Sequence, residues 1–130
     1  MIEILVVDDD ALMRGLLAEW LSEAGYRVRQ AESGTCALQM LRSRPARLLI
    51  TDMDMPGHDG VQTLGEARRL SPSLAAIAIS GGTRSGRTNW AAMARQVGAA
   101  KTLAKPFARQ ELLAAVEEVL PRDKPGPERR

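Results

Sequence analysis

Five short apolar runs recur along the chain, and each is followed by a polar or small residue. The run at residues 2–7 is continuous and rich in β-branched side chains, which is typical of a central parallel strand buried on both faces. By contrast, residues 26–31 alternate charged Arg27 and Arg29 with Val28, which indicates a strand with one wetter face at a sheet edge. The predicted strands cover residues 2–7, 26–31, 48–52, 75–80 and 99–104.

Helical periodicity fills the intervals between these runs. Asp10, Ser33 and Asp59 are suitable N-caps for the first three helices, and Gly25 and Gly98 are placed to close the first and the fourth. The third and fifth helices are predicted over residues 61–70 and 110–120. The apolar stripes are Met13, Leu16, Leu17, Trp20 and Leu21 in helix one; Ala37, Leu38, Met40 and Leu41 in helix two; Trp90, Met93 and Val97 in helix four; and Leu112, Leu113, Val116, Val119 and Leu120 in helix five.

Alternating strands and helices predict an α/β fold with a five-stranded parallel sheet and helices on both faces. Right-handed crossovers limit the possible arrangements, and strand order 2-1-3-4-5, the flavodoxin-like doubly wound order, is a common solution for this number of strands. We expect one domain over residues 1–120. Residues 121–130 hold three prolines and no periodicity, and we expect this basic tail to be disordered.

Composition excludes several classes of protein. Cys36 and His58 are the sole members of their residue types, so neither a disulfide framework nor a cysteine- or histidine-rich zinc site is available. The net charge of +2 comes from the tail, since the first 120 residues hold 14 charges of each sign, and aromatic residues make up only 3%. A direct nucleic-acid partner is therefore not expected. No basic leader and no membrane-length apolar run is present, which predicts a cytoplasmic protein without a membrane partner.

Polar residues of the types used in metal binding and catalysis lie at the ends of four of the five predicted strands. Asp8 and Asp9 follow strand one, Asp52 and Ser80 end strands three and four, and Lys105 follows strand five. In the predicted order these four strands are neighbours, and ligands of such sheets bind at the carboxyl ends of the strands. These side chains are therefore expected to converge on one pocket.

Three carboxylates in one pocket need a compensating cation, because two unit charges about 4 Å apart repel by roughly 4 kcal/mol at an effective dielectric constant near 20. Lys105 can neutralise one charge, and Mg²⁺ held by carboxylates, a carbonyl and waters fits the remainder. The predicted direct ligands are Asp9 and Asp52, with Asp8 acting through a water molecule. The backbone carbonyl of Asp54 is the predicted third protein ligand.

The same pocket suits phosphoryl transfer. A carboxylate such as Asp52 can act as a covalent nucleophile while Mg²⁺ and Lys105 offset charge on the transferring oxygens. Ser80 is placed to donate a hydrogen bond to one phosphoryl oxygen, and Gly81 leaves room for the group to approach.

In these residues the sequence resembles the receiver domain of two-component response regulators over about residues 2 to 120. The matching motifs are the acidic pair Asp8-Asp9, Asp52 before a Met55-Pro56 turn with Asp59-Gly60, Ser80-Gly81, and Lys105-Pro106-Phe107. The resemblance implies that Asp52 accepts a phosphoryl group from a sensor histidine kinase or a histidine phosphotransfer protein, and that Ser80 and Lys105 respond to it. It also implies a cis peptide bond at Lys105-Pro106, and signalling to a downstream protein through helix four, strand five and helix five. A second copy of the chain is a further candidate partner.

Two positions depart from the family pattern. Thr102 stands where many receivers have an aromatic residue that swings inward on activation, which places that part of the usual switch in question. The segment from Gly81 to Arg87 is rich in glycine, so we expect it to be mobile, and its ordering is an alternative signal.

The leading hypothesis is a signalling module rather than an enzyme, with catalysis limited to its own phosphorylation and dephosphorylation. No foldable pattern follows Leu120, so we expect a stand-alone receiver without an output domain. A receiver-like scaffold that binds partners regardless of phosphorylation is the alternative. Asp52-Met53-Asp54 also matches the Asp-x-Asp motif of haloacid-dehalogenase-like phosphatases, but those enzymes usually carry the motif after the first strand of a longer chain.

Overall fold

A computed structural model of the chain describes residues 3–54, 60–81 and 90–120. Ile2, the turn with Met55, Pro56, His58 and the predicted cap Asp59, the glycine-rich residues 82–87 and the tail lie outside these ranges. The elements are β1 (Glu3–Val7), α1 (Ala11–Glu23), β2 (Arg27–Ala31), α2 (Gly34–Ser43), β3 (Leu48–Asp52), α3 (Gly60–Leu70), β4 (Ala75–Ser80), α4 (Trp90–Gln96), β5 (Lys101–Ala104) and α5 (Arg109–Val119).

The five strands form one parallel sheet in the order β2-β1-β3-β4-β5, which confirms the predicted topology. Burial explains the order: every residue of β3 is buried, as are four of the five in β1, whereas β2 at the edge has only Ala31 buried. A continuous apolar strand needs cover on both faces, so β1 and β3 take interior positions. The register pairs Val7 with Thr51 and Asp52 with Ile79, and thus aligns the ends of these strands.

Helices cover the sheet on both faces, as predicted. On one face, α2, α3 and α4 supply buried side chains that pack with Leu5, Leu49 and Ala78. On the other face, α1 and α5 pack against Ile4, Ile50 and Ile77. The buried helix residues are Ala37, Leu38, Leu41, Leu64, Ala67 and Ala94 on the first face, and Leu17, Leu21, Leu112, Ala115 and Val116 on the second.

Local capping fixes where the helices start and stop. The Asp10 carboxylate accepts hydrogen bonds from the amides of Leu12 (3.0 Å) and Met13 (3.4 Å), and the Ser33 hydroxyl accepts one from the Cys36 amide (3.1 Å). Gly25 and Gly98 follow α1 and α4 with φ of 102° and 112°, the left-handed region that favours glycine. All four cap predictions that fall on described residues are therefore confirmed.

Several details of the predicted pattern were wrong, and among them are one-residue differences in the bounds of β2, which begins at Arg27, of α3, which begins at Gly60, and of α5, which spans Arg109–Val119. Leu16 is 39% exposed because Leu17 and Leu21 are the buried centre of α1, which leaves Leu16 at the margin of the stripe. Met93 is 42% exposed, and its neighbour Ala94 is the fully buried residue of α4. Strand β5 begins at Lys101, two residues later than predicted, although the Ala100 amide already donates to the Ala76 carbonyl (2.8 Å).

Among the described helices, none is long and apolar enough to cross a membrane.

Candidate functional site

The carboxyl-terminal edge of the sheet gathers the predicted site residues at the ends of β1, β3, β4 and β5. Carboxylate oxygens of Asp8, Asp9 and Asp52 all lie within 4.8 Å of one another. Lys105 follows β5, and its Nζ lies 3.5 Å from Asp52 Oδ2 and 3.8 Å from Asp8 Oδ2. The strand order therefore brings together residues that are almost 100 positions apart in the sequence.

Asp8 is a buried carboxylate whose two oxygens have different surroundings. Its side chain is 1% exposed, Oδ1 accepts the Asp10 amide at 2.9 Å, and Oδ2 has no hydrogen-bond partner among the described residues. Burial raises the pKa of Asp8 to about 6; the Asp10 amide opposes this rise, the negative charge of Asp52 adds to it, and Lys105 offsets part of it. Ionisation of the buried Asp8 carboxyl group therefore costs free energy, and a bound cation lowers that cost.

Asp52 ends β3 with both carboxylate oxygens engaged. Oδ1 accepts the backbone amide of Asp54 at 3.0 Å, while Oδ2 faces the Lys105 ammonium group. The side chain is 5% exposed, and Lys105 itself is 24% exposed. A carboxylate fixed by an amide on one oxygen and paired with a cation on the other is positioned as an oriented nucleophile. The Lys105–Pro106 peptide bond is cis, as the family resemblance implied.

The Asp54 side chain makes contacts that sequence reasoning missed. Its two carboxylate oxygens each lie 3.0 Å from the Ser80 hydroxyl, which donates to them, and Oδ2 also accepts the Gly81 amide at 2.7 Å. As a metal ligand, Asp54 was predicted from sequence to act through its backbone carbonyl, and the family resemblance implied an influence of this position on the speed of dephosphorylation. The residue pattern did not indicate these contacts, because they depend on the direction that the chain takes after β3.

The residues present fit a hard divalent cation. Asp8, Asp9 and Asp52 offer clustered oxygen ligands, and the buried Asp8 Oδ2, which accepts no hydrogen bond from the described residues, is the kind of atom that a cation or its bound water satisfies. Asp9 is exposed, so it leaves an open side toward solvent from which waters can complete the coordination sphere.

Gly60 keeps the end of β3 close to α3. A Cβ atom at this position would lie 2.7 Å from Met53 Cα and 3.2 Å from the Asp52 carbonyl oxygen, so no larger residue fits without a backbone shift. The helix therefore packs directly against the strand end that carries Asp52.

Thr102 lies on β5, where it pairs with Ala78 of β4. The Thr102 hydroxyl accepts a long hydrogen bond from Arg95 Nη2 of α4 (3.5 Å), and its side chain is partly exposed. A polar link between α4 and β5 thus occupies the position where the family resemblance expects an aromatic residue.

Fold and site geometry together define an α/β domain with an acidic, lysine-paired cluster at the carboxyl edge of its sheet. Residues 4–117 match the sequence profile of the response regulator receiver domain, and the chain belongs to this family. It is therefore a signalling domain of two-component systems.

Individual relatives agree with this membership. The chain is 34% identical to the response regulator receiver protein CpdR of Brucella abortus, over 90% of this chain and 95% of that protein. It is 32% identical to sporulation initiation phosphotransferase F of Bacillus subtilis, over 92% of this chain and 94% of the relative. The crystal structure of chemotaxis protein CheY4 from Vibrio cholerae superimposes with a TM-score of 0.84 at 28% identity, covering 92% of this chain and 99% of that one.

Proposed function

We propose that this domain receives a phosphoryl group on the Asp52 carboxylate from a phosphohistidine of a sensor kinase or phosphotransfer protein. The observation that carries the proposal is the pairing of Asp52 Oδ2 with Lys105 Nζ at 3.5 Å, next to Asp8 and Asp9 and on the strand beside β4, whose end carries Ser80. The same surroundings that stabilise an oriented carboxylate also stabilise the charge of a phosphoryl group.

The transfer exchanges one bond to phosphorus for another. An Asp52 oxygen attacks the phosphorus, the bond from phosphorus to the imidazole nitrogen breaks, and the electron pair of that bond stays on the departing imidazole. Lys105 offsets negative charge on the phosphoryl oxygens, while the Asp54 amide holds the other Asp52 oxygen in place. Ser80 and Gly81 supply an O–H and an N–H at the end of β4 for the phosphoryl oxygens.

Magnesium is the cofactor that the carboxylates support. Asp9 and Asp52 would hold Mg²⁺ directly, Asp8 through a water molecule, and the Asp54 carbonyl would complete the protein ligands. When bound, the ion neutralises charge on the acceptor and on the incoming phosphoryl group.

A downstream partner would read the phosphorylated state on the surface formed by α4, β5 and α5. Two features of that surface support the proposal: Met93 is 42% exposed, and Lys101 of β5 is paired with Glu118 of α5. The Arg95–Thr102 contact ties α4 to β5 on the same surface. A second copy of this chain is one candidate partner there, and the domain would work in the cytoplasm.

Intact-protein mass spectrometry tests the acceptor. After incubation with Mg²⁺ and a small acyl phosphate, the wild type should gain one labile phosphoryl group, because the Asp52 carboxylate displaces the acyl carboxylate. Asp52→Asn keeps an oxygen for the Asp54 amide but removes the nucleophilic charge, so it should gain none. Glu32→Gln, an exposed change at the carboxyl end of β2, is the matched charge control and should label like the wild type.

Equal labelling of Asp52→Asn would place the acceptor elsewhere. Failure of the wild type to label at all, with Mg²⁺ binding established, would favour a scaffold that binds partners without phosphorylation. Continuous turnover of a phosphomonoester would revive the Asp-x-Asp phosphatase alternative.

A further inference from the structure

The hydrogen-bond donors that a phosphoryl group on Asp52 would need are already occupied within the chain. The Ser80 hydroxyl reaches both oxygens of the Asp54 carboxylate at 3.0 Å, and the Gly81 amide donates to Oδ2 at 2.7 Å. A carboxylate that accepts an O–H and a backbone N–H makes charge-assisted hydrogen bonds, which are stronger than bonds between neutral groups. Asp54 therefore holds these two donors firmly.

A phosphoryl group and the Asp54 carboxylate cannot share the donors. Both are anionic acceptors, and neighbouring like charges repel while competing for the same O–H and N–H. The Asp54 backbone is tied to the acceptor itself, since its amide donates to Asp52 Oδ1 at 3.0 Å. The Asp54 residue thus contacts the acceptor carboxylate through its backbone amide and the Ser80 and Gly81 donors through its side chain.

We propose that the Asp54 carboxylate is an internal competitor of the phosphoryl group, which holds Ser80 and Gly81 in the unphosphorylated domain and must be displaced when Asp52 is phosphorylated. This inference rests on the proposed function of Asp52. In the unphosphorylated domain, these hydrogen bonds connect the segment after β3 to the end of β4. They break only when a stronger acceptor binds the Ser80 and Gly81 donors. Asp54 is therefore a positioning residue that sets how readily the phosphorylated conformation forms.

A simple repulsion between Asp54 and the incoming group would have a different signature. Repulsion between charges is screened by salt, whose Debye length falls from about 10 Å at 0.1 M to about 3 Å at 1 M. Competition for a hydrogen-bond donor requires contact and depends little on salt. Because half-buried charges are screened less than exposed ones, the neutral Asp54→Asn variant adds the second criterion: repulsion predicts that it matches Asp54→Ala, and competition predicts that it does not.

Beryllofluoride is a suitable probe, because it binds an aspartate carboxylate and presents fluorine atoms as acceptors in place of phosphoryl oxygens. Its apparent affinity is measured by NMR at fixed Mg²⁺ concentration, with the Gly81 amide as reporter, in the full chain at 0.1 M and 1 M KCl. The variants are Asp54→Ala, which removes the competitor, and Asp54→Asn, which keeps a weaker neutral acceptor. Glu32→Gln removes one negative charge from the same edge of the sheet, at an exposed position directly after β2.

The expected result is roughly tenfold tighter beryllofluoride binding by Asp54→Ala than by the wild type, because hydrogen bonds to a charged acceptor no longer have to be broken. Asp54→Asn should lie between the two, Glu32→Gln should match the wild type, and the ratios should persist at 1 M KCl. Equal affinity of Asp54→Ala and wild type, or a gain that vanishes at high salt, would overturn the competitor role and leave the phosphoacceptor proposal intact. No response in either protein would instead overturn the phosphoacceptor assignment, and the competitor with it.

Discussion

Asp8 shows how a buried carboxylate links stability, pH and cation binding. Its pKa is raised to about 6, first by burial, and one of its oxygens has no hydrogen-bond donor among the described residues. Since the folded state holds the Asp8 proton more tightly than the unfolded chain does, the folded state binds more protons between about pH 4 and pH 6. The contribution of Asp8 to stability is therefore fully present below about pH 4 and is lost as the pH rises through 6.

We predict that, without Mg²⁺, Asp8→Asn is more stable than the wild type at pH 7.5. The difference in unfolding free energy should be of the order of 3 kcal/mol, the equivalent of the pKa shift, and should fade toward pH 4. The Asn oxygen can still accept the Asp10 amide, so the turn is preserved. Urea unfolding of both proteins across this pH range measures the difference, with Glu32→Gln as the charge control. A difference that is constant with pH would show that Asp8 ionisation is not its origin.

Residue types and spacing predicted the gathering of Asp8, Asp9, Asp52 and Lys105, because parallel strands end at a common edge. The role of the Asp54 side chain could not be predicted in the same way. Its contacts to Ser80 and Gly81 depend on the direction that the chain takes after β3, and a sequence pattern does not specify this direction. The same applies to Gly60. A side chain at this position would clash with Met53, and a sequence pattern does not reveal this close contact.

Helix α1 begins at a cap that also borders the acidic cluster. The Asp10 carboxylate accepts the amides of Leu12 and Met13, and the Asp10 amide donates to Asp8 Oδ1. The helix start and the orientation of Asp8 are therefore set by two groups of one residue, the carboxylate and the backbone amide of Asp10.

We predict that Asp10→Ala lowers the unfolding free energy by about 1 kcal/mol, because two amides of the first turn lose their acceptor. Asp10→Asn keeps an acceptor oxygen and should remain within a few tenths of a kcal/mol of the wild type. Denaturant unfolding at neutral pH measures both, and the dependence on denaturant should be unchanged if the native fold is kept. An equal loss in both variants would assign the effect to the charge of Asp10 instead of its capping bonds.

Elements with strong caps and continuous burial were predicted best from sequence. Strand β3 and the caps Ser33 and Asp10 agree with the structure. The apolar run of β3 and the cap hydrogen bonds each involve residues within a few positions of one another. The exposure of a residue at the margin of a helix's apolar stripe depends on which side chains of that helix are covered by other elements. Leu16 and Met93 fit the helical period, yet each is exposed and lies beside a buried residue, Leu17 in α1 and Ala94 in α4.

At the scale of the whole molecule, the sheet order is what converts distant residues into one charged cluster. Asp8 and Asp52 come from adjacent strands, and Lys105 reaches them from the far side of β4. A ligand that binds these residues together binds only the folded chain, because the unfolded chain keeps them far apart. Cation binding should therefore appear as added global stability.

We predict that millimolar Mg²⁺ raises the melting temperature at pH 7.5 by a few degrees. At ten times the dissociation constant, binding to the folded state alone adds about 1.4 kcal/mol, which corresponds to such a shift in a domain of this size. The shift should shrink toward pH 5, because protonation of Asp8 removes one of the negative charges that attract the ion. Differential scanning calorimetry over a Mg²⁺ series measures it.

Asp9→Ala is the decisive variant for this prediction, because Asp9 is exposed and its loss should abolish the Mg²⁺ effect with little change in the metal-free melting temperature. Glu32→Gln should keep the full shift, since it changes the net charge by the same amount outside the cluster. An equal shift in Asp9→Ala and wild type would mean that Mg²⁺ stabilises the chain through a general charge effect. A shift in the wild type and in Glu32→Gln, but not in Asp9→Ala, would locate the ion among the carboxylates that surround the proposed phosphoacceptor.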